Sequence, residues 1–184
     1  MCRLKYVVVV NGKPESGKTT FEEACAEYLN ISEMAWCHIV SSIDPIKKIY
    51  KSLGWDGKKT DKARKDLSIL KKMWIDNCDG PISYIVKFIT ELSNDEDHVV
   101  FVDIREESEI IKLVEVLDTL HVIDIRHSTI FIMRPENAGI EYGNKSDDMV
   151  GSNLSIYDTI ISNSGDIDKL REQAKEFINT LMEE

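Results

Sequence analysis

The sequence predicts an α/β fold built on a parallel sheet, and two observations carry this prediction. Short apolar runs rich in valine and isoleucine alternate along the chain with longer segments whose apolar residues recur at helical spacing. Such alternation is typical of βα units, in which a helix connects two parallel strands. The 184 residues contain no internal repeat and no linker rich in Pro, Gly or Ser, which favours one domain over residues 1–184.

Five segments have the composition of buried strands. Residues 6–10 are almost wholly apolar, as expected of a strand covered on both faces. This run stops at Asn11, too early for a secretory signal, so we interpret it as part of the fold. The other strands are predicted at residues 35–41, 98–102, 128–133 and 156–161.

Six segments have helical periodicity, and one long segment has none. The helices are predicted at residues 21–29, 44–53, 60–77, 82–92, 106–120 and 166–182. Asp44 precedes a proline, which predicts that it caps the second helix. Residues 136–153 lack any period and contain three glycines, so we expect a flexible loop there. Trp36 and Trp74 are expected in the core.

Composition excludes several functional classes. A net charge of −10 and a pI near 4.9 argue against broad binding to nucleic acid or anionic membranes. No run of 18 apolar residues exists in the sequence, so no transmembrane helix is expected. The four cysteines are widely spaced, which predicts reduced thiols, no zinc site and a cytoplasmic location. A bound polyanion would therefore need a local positive site.

Residues 12–19 match the pattern G-x-x-x-x-G-K-[ST] in full. They follow a predicted strand and open a predicted helix, which is the context of a phosphate-binding P-loop. The glycines let the backbone approach an anion, and the N–H groups of the loop and helix point toward it. Lys18 is expected to reach the β- and γ-phosphates of ATP, and the Thr19 hydroxyl to bind Mg²⁺. The predicted ATP-binding residues are Gly12, Lys13, Pro14, Glu15, Ser16, Gly17, Lys18, Thr19 and Thr20.

Asp103 ends the apolar strand at residues 98–102. In P-loop proteins an aspartate in this place holds Mg²⁺ directly or through water. Arg105 follows beyond the carboxyl end of the strand, where ligands bind in open α/β sheets. Its guanidinium can hold a phosphate through two parallel hydrogen bonds, or it can pair with Glu106 or Glu109. We predict that Lys18, Asp103 and Arg105 are catalytic, with Thr19 and Asp103 on the metal.

Two further arginines are candidates for phosphate binding. Arg64 lies in the charged stretch Lys62-Ala63-Arg64-Lys65, which could instead be a solvated helix face. Arg134 ends a predicted strand beside the long loop.

These segments together resemble the P-loop nucleoside monophosphate kinases, most closely the bacteriophage-type deoxynucleoside monophosphate kinases, with dephospho-coenzyme A kinase as a more distant relative. Besides the loop, the resemblance is carried by Ser42-Ile43-Asp44-Pro45-Ile46-Lys47, Ala63-Arg64-Lys65-Asp66-Leu67, Val102-Asp103-Ile104-Arg105-Glu106, Ile132-Met133-Arg134-Pro135, Lys145-Ser146-Asp147-Asp148 and Ile161-Ser162-Asn163-Ser164-Gly165.

The resemblance implies the three-layer fold of P-loop NTPases, a five-stranded parallel sheet with helices on both faces. It implies Mg-ATP as donor and a small nucleotide as acceptor, with an acceptor-binding helical insertion at about 42–95 and a lid-like loop at about 135–155. The residues implied on the acceptor are Asp44, Lys47, Arg64 and Arg105, and those implied beside ATP are Arg134 and Asn163. Residues 136–153 differ from such lids because they contain no arginine. A homodimer is left open.

Three other functions remain open from the sequence. A kinase of an alcohol, such as a nucleoside or dephospho-coenzyme A, would need a carboxylate beside the hydroxyl, for which Asp44 or Asp103 could serve. A non-catalytic nucleotide-binding protein would keep the loop without transferring phosphate. A GTPase is disfavoured, because the N-K-x-D match at residues 144–147 follows no strand-like run.

Overall fold

The computed structural model describes residues 5–58, 60–120, 125–137, 139–140 and 148–183. It contains one sheet of five parallel strands in the order β2-β3-β1-β4-β5, so that β1 lies at the centre. All five predicted strands are present, with ends that differ by up to three residues from those predicted. They are β1 (Lys5–Asn11), β2 (Trp36–Ser41), β3 (His98–Asp103), β4 (Ile125–Met133) and β5 (Thr159–Ser162).

In the described part of the chain, six helices connect or follow the strands: α1 (Lys18–Ser32), α2 (Asp44–Ser52), α3 (Asp61–Cys78), α4 (Gly80–Glu91), α5 (Glu107–Thr119) and α6 (Ile167–Glu183). Among the helices that the structure describes, none is long and apolar enough to cross a bilayer. The predicted cap of α2 is wrong by one position. Ile43 is the cap, and Asp44 begins the helix with its carboxylate accepting from the Ser41 N–H at 2.8 Å.

Helices cover both faces of the sheet, so the three-layer arrangement is confirmed. Alternate residues of β1 point to opposite faces, as in any strand. Val8 and Val10 belong to a core shared with α1 and α6, whereas Val7 and Val9 belong to a second core shared with α4 and α5. Because every residue of β1 is buried, the loop that follows it starts from a fixed point.

Two contacts order the helical segment between β2 and β3. Lys5 is fully buried in β1, and its ammonium donates to the carbonyls of Ile89 at 3.1 Å and Leu92 at 2.8 Å, at the end of α4. At the junction of α3 and α4, the Trp74 indole lies over Gly80. A Cβ on Gly80 would overlap the indole, so a larger residue there would force the indole to move.

Two expectations from the sequence are corrected. Trp36 is not in the core but 59% exposed, because β2 is an edge strand with one open side. Trp74 is half-buried. The end of the loop predicted as flexible is anchored, since Val150 is buried and the Ser152 hydroxyl donates to the Glu107 carboxylate. The N-K-x-D match at 144–147 lies outside the described residues.

We expect a pair of histidines to make folding stability depend on pH. His38 Nε2 lies 3.1 Å from His98 Nδ1. Burial lowers the pKa of both histidines below the ordinary 6.5. The His98 ring lowers the pKa of His38 further, and the Lys5 ammonium does the same for His98. Unfolded histidines therefore take up protons below about pH 6.5 while the folded ones stay neutral, so stability falls as the pH drops.

The measurement is the urea midpoint of unfolding between about pH 5 and pH 8. The wild type should lose more stability toward pH 5 than the His38→Gln/His98→Gln variant, which keeps polar side chains but cannot titrate. Parallel curves for the two proteins would contradict this role for the pair.

Candidate functional site

The loop between β1 and α1 makes a tight turn that depends on its two glycines. Gly12 has φ 155°, and a Cβ there would lie 2.5 Å from the Ile132 carbonyl oxygen. Gly17 has φ 99°, and a Cβ there would lie 2.4 Å from the Asn163 side-chain amide. Both positions therefore exclude a side chain by close approach as well as by backbone conformation.

The loop has the features of an anion site. The Lys18 ammonium donates to the carbonyls of Gly12 at 2.6 Å and Lys13 at 3.1 Å, which holds the cation over the loop. No side chain caps the first turn of α1, and the turn holds no acidic residue. The buried Ser16 hydroxyl has no hydrogen-bond partner among the described residues. An orphan hydroxyl, a positive helix end and an ammonium together fit a phosphate group.

Asn11 fixes the loop to the rest of the site. Its side-chain oxygen accepts from the Gly12 N–H at 2.7 Å, and its amide donates to the Arg105 carbonyl at 3.2 Å and the Tyr157 hydroxyl at 2.8 Å. The residue is only 1% exposed. Sequence reasoning assigned no role to Asn11 or Tyr157, although a polar residue closing a wholly apolar strand was a usable signal for Asn11.

Asp103 lies at the carboxyl end of β3, within electrostatic reach of cations from three segments. Burial raises the pKa of its carboxyl, and Lys18, Lys47 and Arg105 oppose that rise. The structure thus brings together the predicted residues of the loop, of α2 and of the strand end. Asp44 lies in the same group and pairs with Lys47 at 3.0 Å.

Glu22 is a buried acid beside this group that sequence reasoning missed. It is 1% exposed, and burial together with the nearby Asp103 raises its pKa to about 8. One of its carboxyl oxygens has no partner among the described residues. Glu22 follows Lys18 by four residues and so lies on the same helix face, a spacing that could have been noticed. A neutral Glu22 at pH 7 leaves the local charge positive.

Other predicted residues differ in how close they lie to the loop. The Asn163 amide donates to the Ser16 carbonyl at 2.9 Å, so Asn163 adjoins the loop. Arg134 is exposed and lies 3.6 Å from Glu136. Arg64 is exposed on α3, and its guanidinium makes no hydrogen bond or ion pair with the residues that the structure describes. Thr19 is exposed, and Thr20 is half-buried.

Among the described residues, one surface cleft adjoins the site and a larger one lies elsewhere. The adjoining cleft has a volume of about 350 Å³ and is lined by Ile39, Val40, Asp44, Lys47, Lys48, Lys51 and Tyr84. The larger cleft, of about 940 Å³, lies between the end of α1 and residues 95–97, near the start of β2. Since parallel strands bind ligands at their carboxyl ends, we assign the ligand to the smaller cleft's side of the sheet.

Comparison with solved structures shows the fold of this chain. The APS kinase CysC of Mycobacterium tuberculosis, solved in complex with AMPPNP and APS, is 16% identical with a TM-score of 0.55, over 98% of this chain and 99% of that chain. The tunicamycin resistance protein of Deinococcus radiodurans is 14% identical with a TM-score of 0.50, over 95% of each chain. The chain therefore has the fold of P-loop kinases. No protein-family model matches it, and no curated protein does.

The two glycines Gly17 and Gly54 offer a matched test of the loop. Both have φ 99°, but a Cβ on Gly54 would meet nothing within 4 Å. Gly54→Ala therefore adds only backbone strain, about 1 kcal/mol. Gly17→Ala adds the same strain and displaces the Asn163 amide from the Ser16 carbonyl, which costs about 1 kcal/mol more.

Urea unfolding of the two variants measures this difference. We expect Gly17→Ala to lower the free energy of unfolding further than Gly54→Ala does. An equal loss in the two variants would mean that Asn163 and the loop do not depend on close approach at Gly17.

Proposed function

We propose that this protein is an ATP-dependent phosphotransferase that moves the γ-phosphoryl group of ATP to a small phosphorylated acceptor, a nucleoside or deoxynucleoside monophosphate. The observation that carries the proposal is the anion site of the loop, where the Lys18 ammonium lies over the Gly12 and Lys13 carbonyls and the buried Ser16 hydroxyl has no partner among the described residues. Lys47 and Arg105 add positive charge near Asp103 at the same edge of the sheet. In a chain with a net charge of −10, a local group of cations at the carboxyl edge of the sheet is a specific feature.

In this proposal the donor binds at residues 12–20. The loop and the start of α1 hold the phosphates, with the Lys18 ammonium between the β- and γ-phosphates. The oxygens of Thr19 and Asp103 suit Mg²⁺, which prefers oxygen ligands and would supply positive charge to the phosphates. Asn163 adjoins the loop through Ser16 and would border the rest of the nucleotide, with Arg134 further out.

The acceptor would bind beside α2, and its phosphorylation needs no strong general base. A phosphomonoester has a second pKa near 6, so its attacking oxygen is already anionic at about pH 7. The enzyme must instead align two anions that repel each other and stabilise charge on the transferring group. Arg105 and Lys47 supply that charge, and the cleft beside Asp44 offers space for the acceptor. Arg64 stays a predicted acceptor contact.

The carboxylates of the site support a phosphate acceptor over an alcohol. A kinase of an alcohol needs a free carboxylate to take the hydroxyl proton. Both oxygens of Asp44 are engaged, one by the Ser41 N–H and the other by the Lys47 ammonium. Asp103, the other carboxylate that could serve an alcohol, is assigned to Mg²⁺ in this proposal. The pKa of Glu22, raised to about 8 by burial and by Asp103, keeps that acid largely protonated near neutral pH. The likeness to a kinase solved with AMPPNP and APS supports phosphoryl transfer more generally.

A phosphoryl-transfer screen with Mg-ATP distinguishes the functions. The acceptors are ribo- and deoxynucleoside monophosphates, nucleosides and dephospho-coenzyme A. Transfer to a monophosphate supports the proposal, whereas transfer only to a nucleoside or to dephospho-coenzyme A makes the protein a kinase of an alcohol. Tight Mg-ATP binding without any transfer makes it a non-catalytic nucleotide-binding protein, and a preference for GTP with hydrolysis alone indicates a GTPase.

Lys18→Ala should abolish transfer while leaving the fold intact. Loss of the ammonium over the loop removes charge stabilisation of the phosphates, and we expect kcat to fall by about 10²–10³ or more. The matched control is Lys87→Ala, which removes an exposed lysine of α4 that pairs with Glu91 at 3.7 Å. Steady-state kinetics and circular dichroism are the measurements, and an active Lys18→Ala variant would refute the role.

Arg105→Ala should mainly weaken use of the acceptor. Removing a charge-assisted contact of about 2 kcal/mol should raise the acceptor KM about 30-fold and leave the KM for ATP within about twofold. Arg171→Ala is the matched control, because Arg171 is an exposed arginine of α6 that pairs with Asp168 at 3.6 Å. A loss confined to the KM for ATP would place Arg105 on the donor instead, and equal losses for both substrates would contradict a role specific to the acceptor.

A further inference from the structure

Lys71 occupies an uncommon position for a lysine. It lies within α3 and is only 9% exposed. Lysine is seldom buried, because its ammonium loses hydration unless charged partners replace the water. None of the contacts proposed for ATP or the acceptor uses Lys71, so its burial has another cause.

The Lys71 ammonium binds two carboxylates at the start of α5. It donates to Glu109 Oε2 at 2.8 Å and to Glu106 Oε2. Glu106 is the N-cap of α5, and Glu109 lies in the first turn. Burial works against both charges, yet Lys71 holds the pKa of Glu106 below its usual range, while the pKa of Glu109 is raised by burial. Lys71 of α3 thus binds the first turn of α5 through two ion pairs.

This contact is one residue away from Arg105. On the side of the sheet, the Ile104 N–H donates to the Val10 carbonyl at 3.3 Å, and the Asn11 amide donates to the Arg105 carbonyl at 3.2 Å. On the side of the helices, Lys71 holds Glu106, the next residue along the chain. The backbone that carries the Arg105 guanidinium is therefore fixed from both sides.

A buried ion pair of this kind adds more to geometry than to stability. The cost of taking an ammonium and two carboxylates out of water largely offsets their attraction, and an apolar side chain of similar length would pack as well. What the charges add is one preferred arrangement of α3 against α5. A fixed arrangement has value where a guanidinium must meet a phosphate within a few tenths of an ångström.

We propose that Lys71 is a positioning residue, which couples helix α3 to Arg105 and so sets the guanidinium against the acceptor phosphate. This inference rests on the proposed function, in which α3 belongs to the acceptor-binding segment and Arg105 binds the acceptor. The loop at residues 12–20 is held by Asn11 and Asn163 and not by Lys71. Lys71 therefore acts on the acceptor and leaves ATP binding alone.

The experiment compares Lys71→Met and Lys71→Arg with the wild type. The acceptor is whichever ribo- or deoxynucleoside monophosphate of the screen the wild type phosphorylates fastest with Mg-ATP. Lys71→Met should raise the KM for this acceptor about tenfold, with the Kd for Mg-ATP changed by less than about twofold. Lys71→Arg keeps a cation between the two carboxylates and should recover most of the wild-type KM.

A second ion pair of α5 supplies the matched control. Lys112 lies 2.6 Å from Asp79 at the junction of α3 and α4, so it also joins α5 to the helical segment, but farther from Arg105. Lys112→Met should leave the acceptor KM within about twofold of the wild type. If Lys112→Met raises the acceptor KM as much as Lys71→Met does, a general loss of rigidity between α5 and the helical segment explains the result, and the inference is overturned.

Two further variants guard against misfolding and test the coupling to Arg105. Lys71→Met/Glu106→Gln/Glu109→Gln removes the unpaired carboxylates and should recover stability without recovering the acceptor KM. In an Arg105→Ala background, Lys71→Met should add little, because there is no guanidinium left to position. Recovery of KM in the first variant, or a full additional loss in the second, overturns the inference.

Failure of the proposed function looks different from failure of this coupling. If the wild type binds Mg-ATP but phosphorylates no ribo- or deoxynucleoside monophosphate, the proposed acceptor is wrong and the coupling falls with it. If the wild type is active and Lys71→Met retains the wild-type KM for the acceptor, only the coupling is wrong.

Discussion

The amide of Asn11 is the interaction on which the arrangement of the site depends most. It leaves the centre of the sheet and bonds in one place to the first residue of the loop, to the carbonyl of Arg105 and to the hydroxyl of Tyr157. The loop and the segment after β3 come from distant parts of the sequence, and their relative position is set by this side chain. Because β1 is buried along its whole length, Asn11 itself has little freedom.

The second constraint is electrostatic. An acidic chain must present a positive surface to a polyanion at one point, and cations alone do not achieve this here. The charge on Asp103 disfavours a charge on Glu22, and burial raises the pKa of both carboxyls. A proton retained by Glu22 lets Lys18 act on a ligand and not on an internal carboxylate. The buried acid thus supports the charge balance of the site without touching its surface.

Much of the fold and part of the site could be predicted because their signals are local. The pattern at residues 12–19 and the apolar run before Asp103 are contiguous in sequence, and parallel strands bring their carboxyl ends to one edge. The roles of Asn11, Glu22 and Lys71 could not be predicted in this way, since each depends on burial or partners supplied by distant segments. Lys71 in particular resembles a solvated lysine until α5 is packed beside it. The burial of Trp36 was predicted wrongly because sequence does not reveal which strand lies at the edge.

The contact between Trp74 and Gly80 restricts the order in which this chain can change during evolution. The indole occupies the space that a side chain at position 80 would need, so a larger residue there requires the half-buried indole to move. A smaller residue at position 74 would remove this obstacle, at the cost of a cavity at the turn between two helices. A substitution at position 80 is therefore expected to destabilise the fold less when position 74 has changed first.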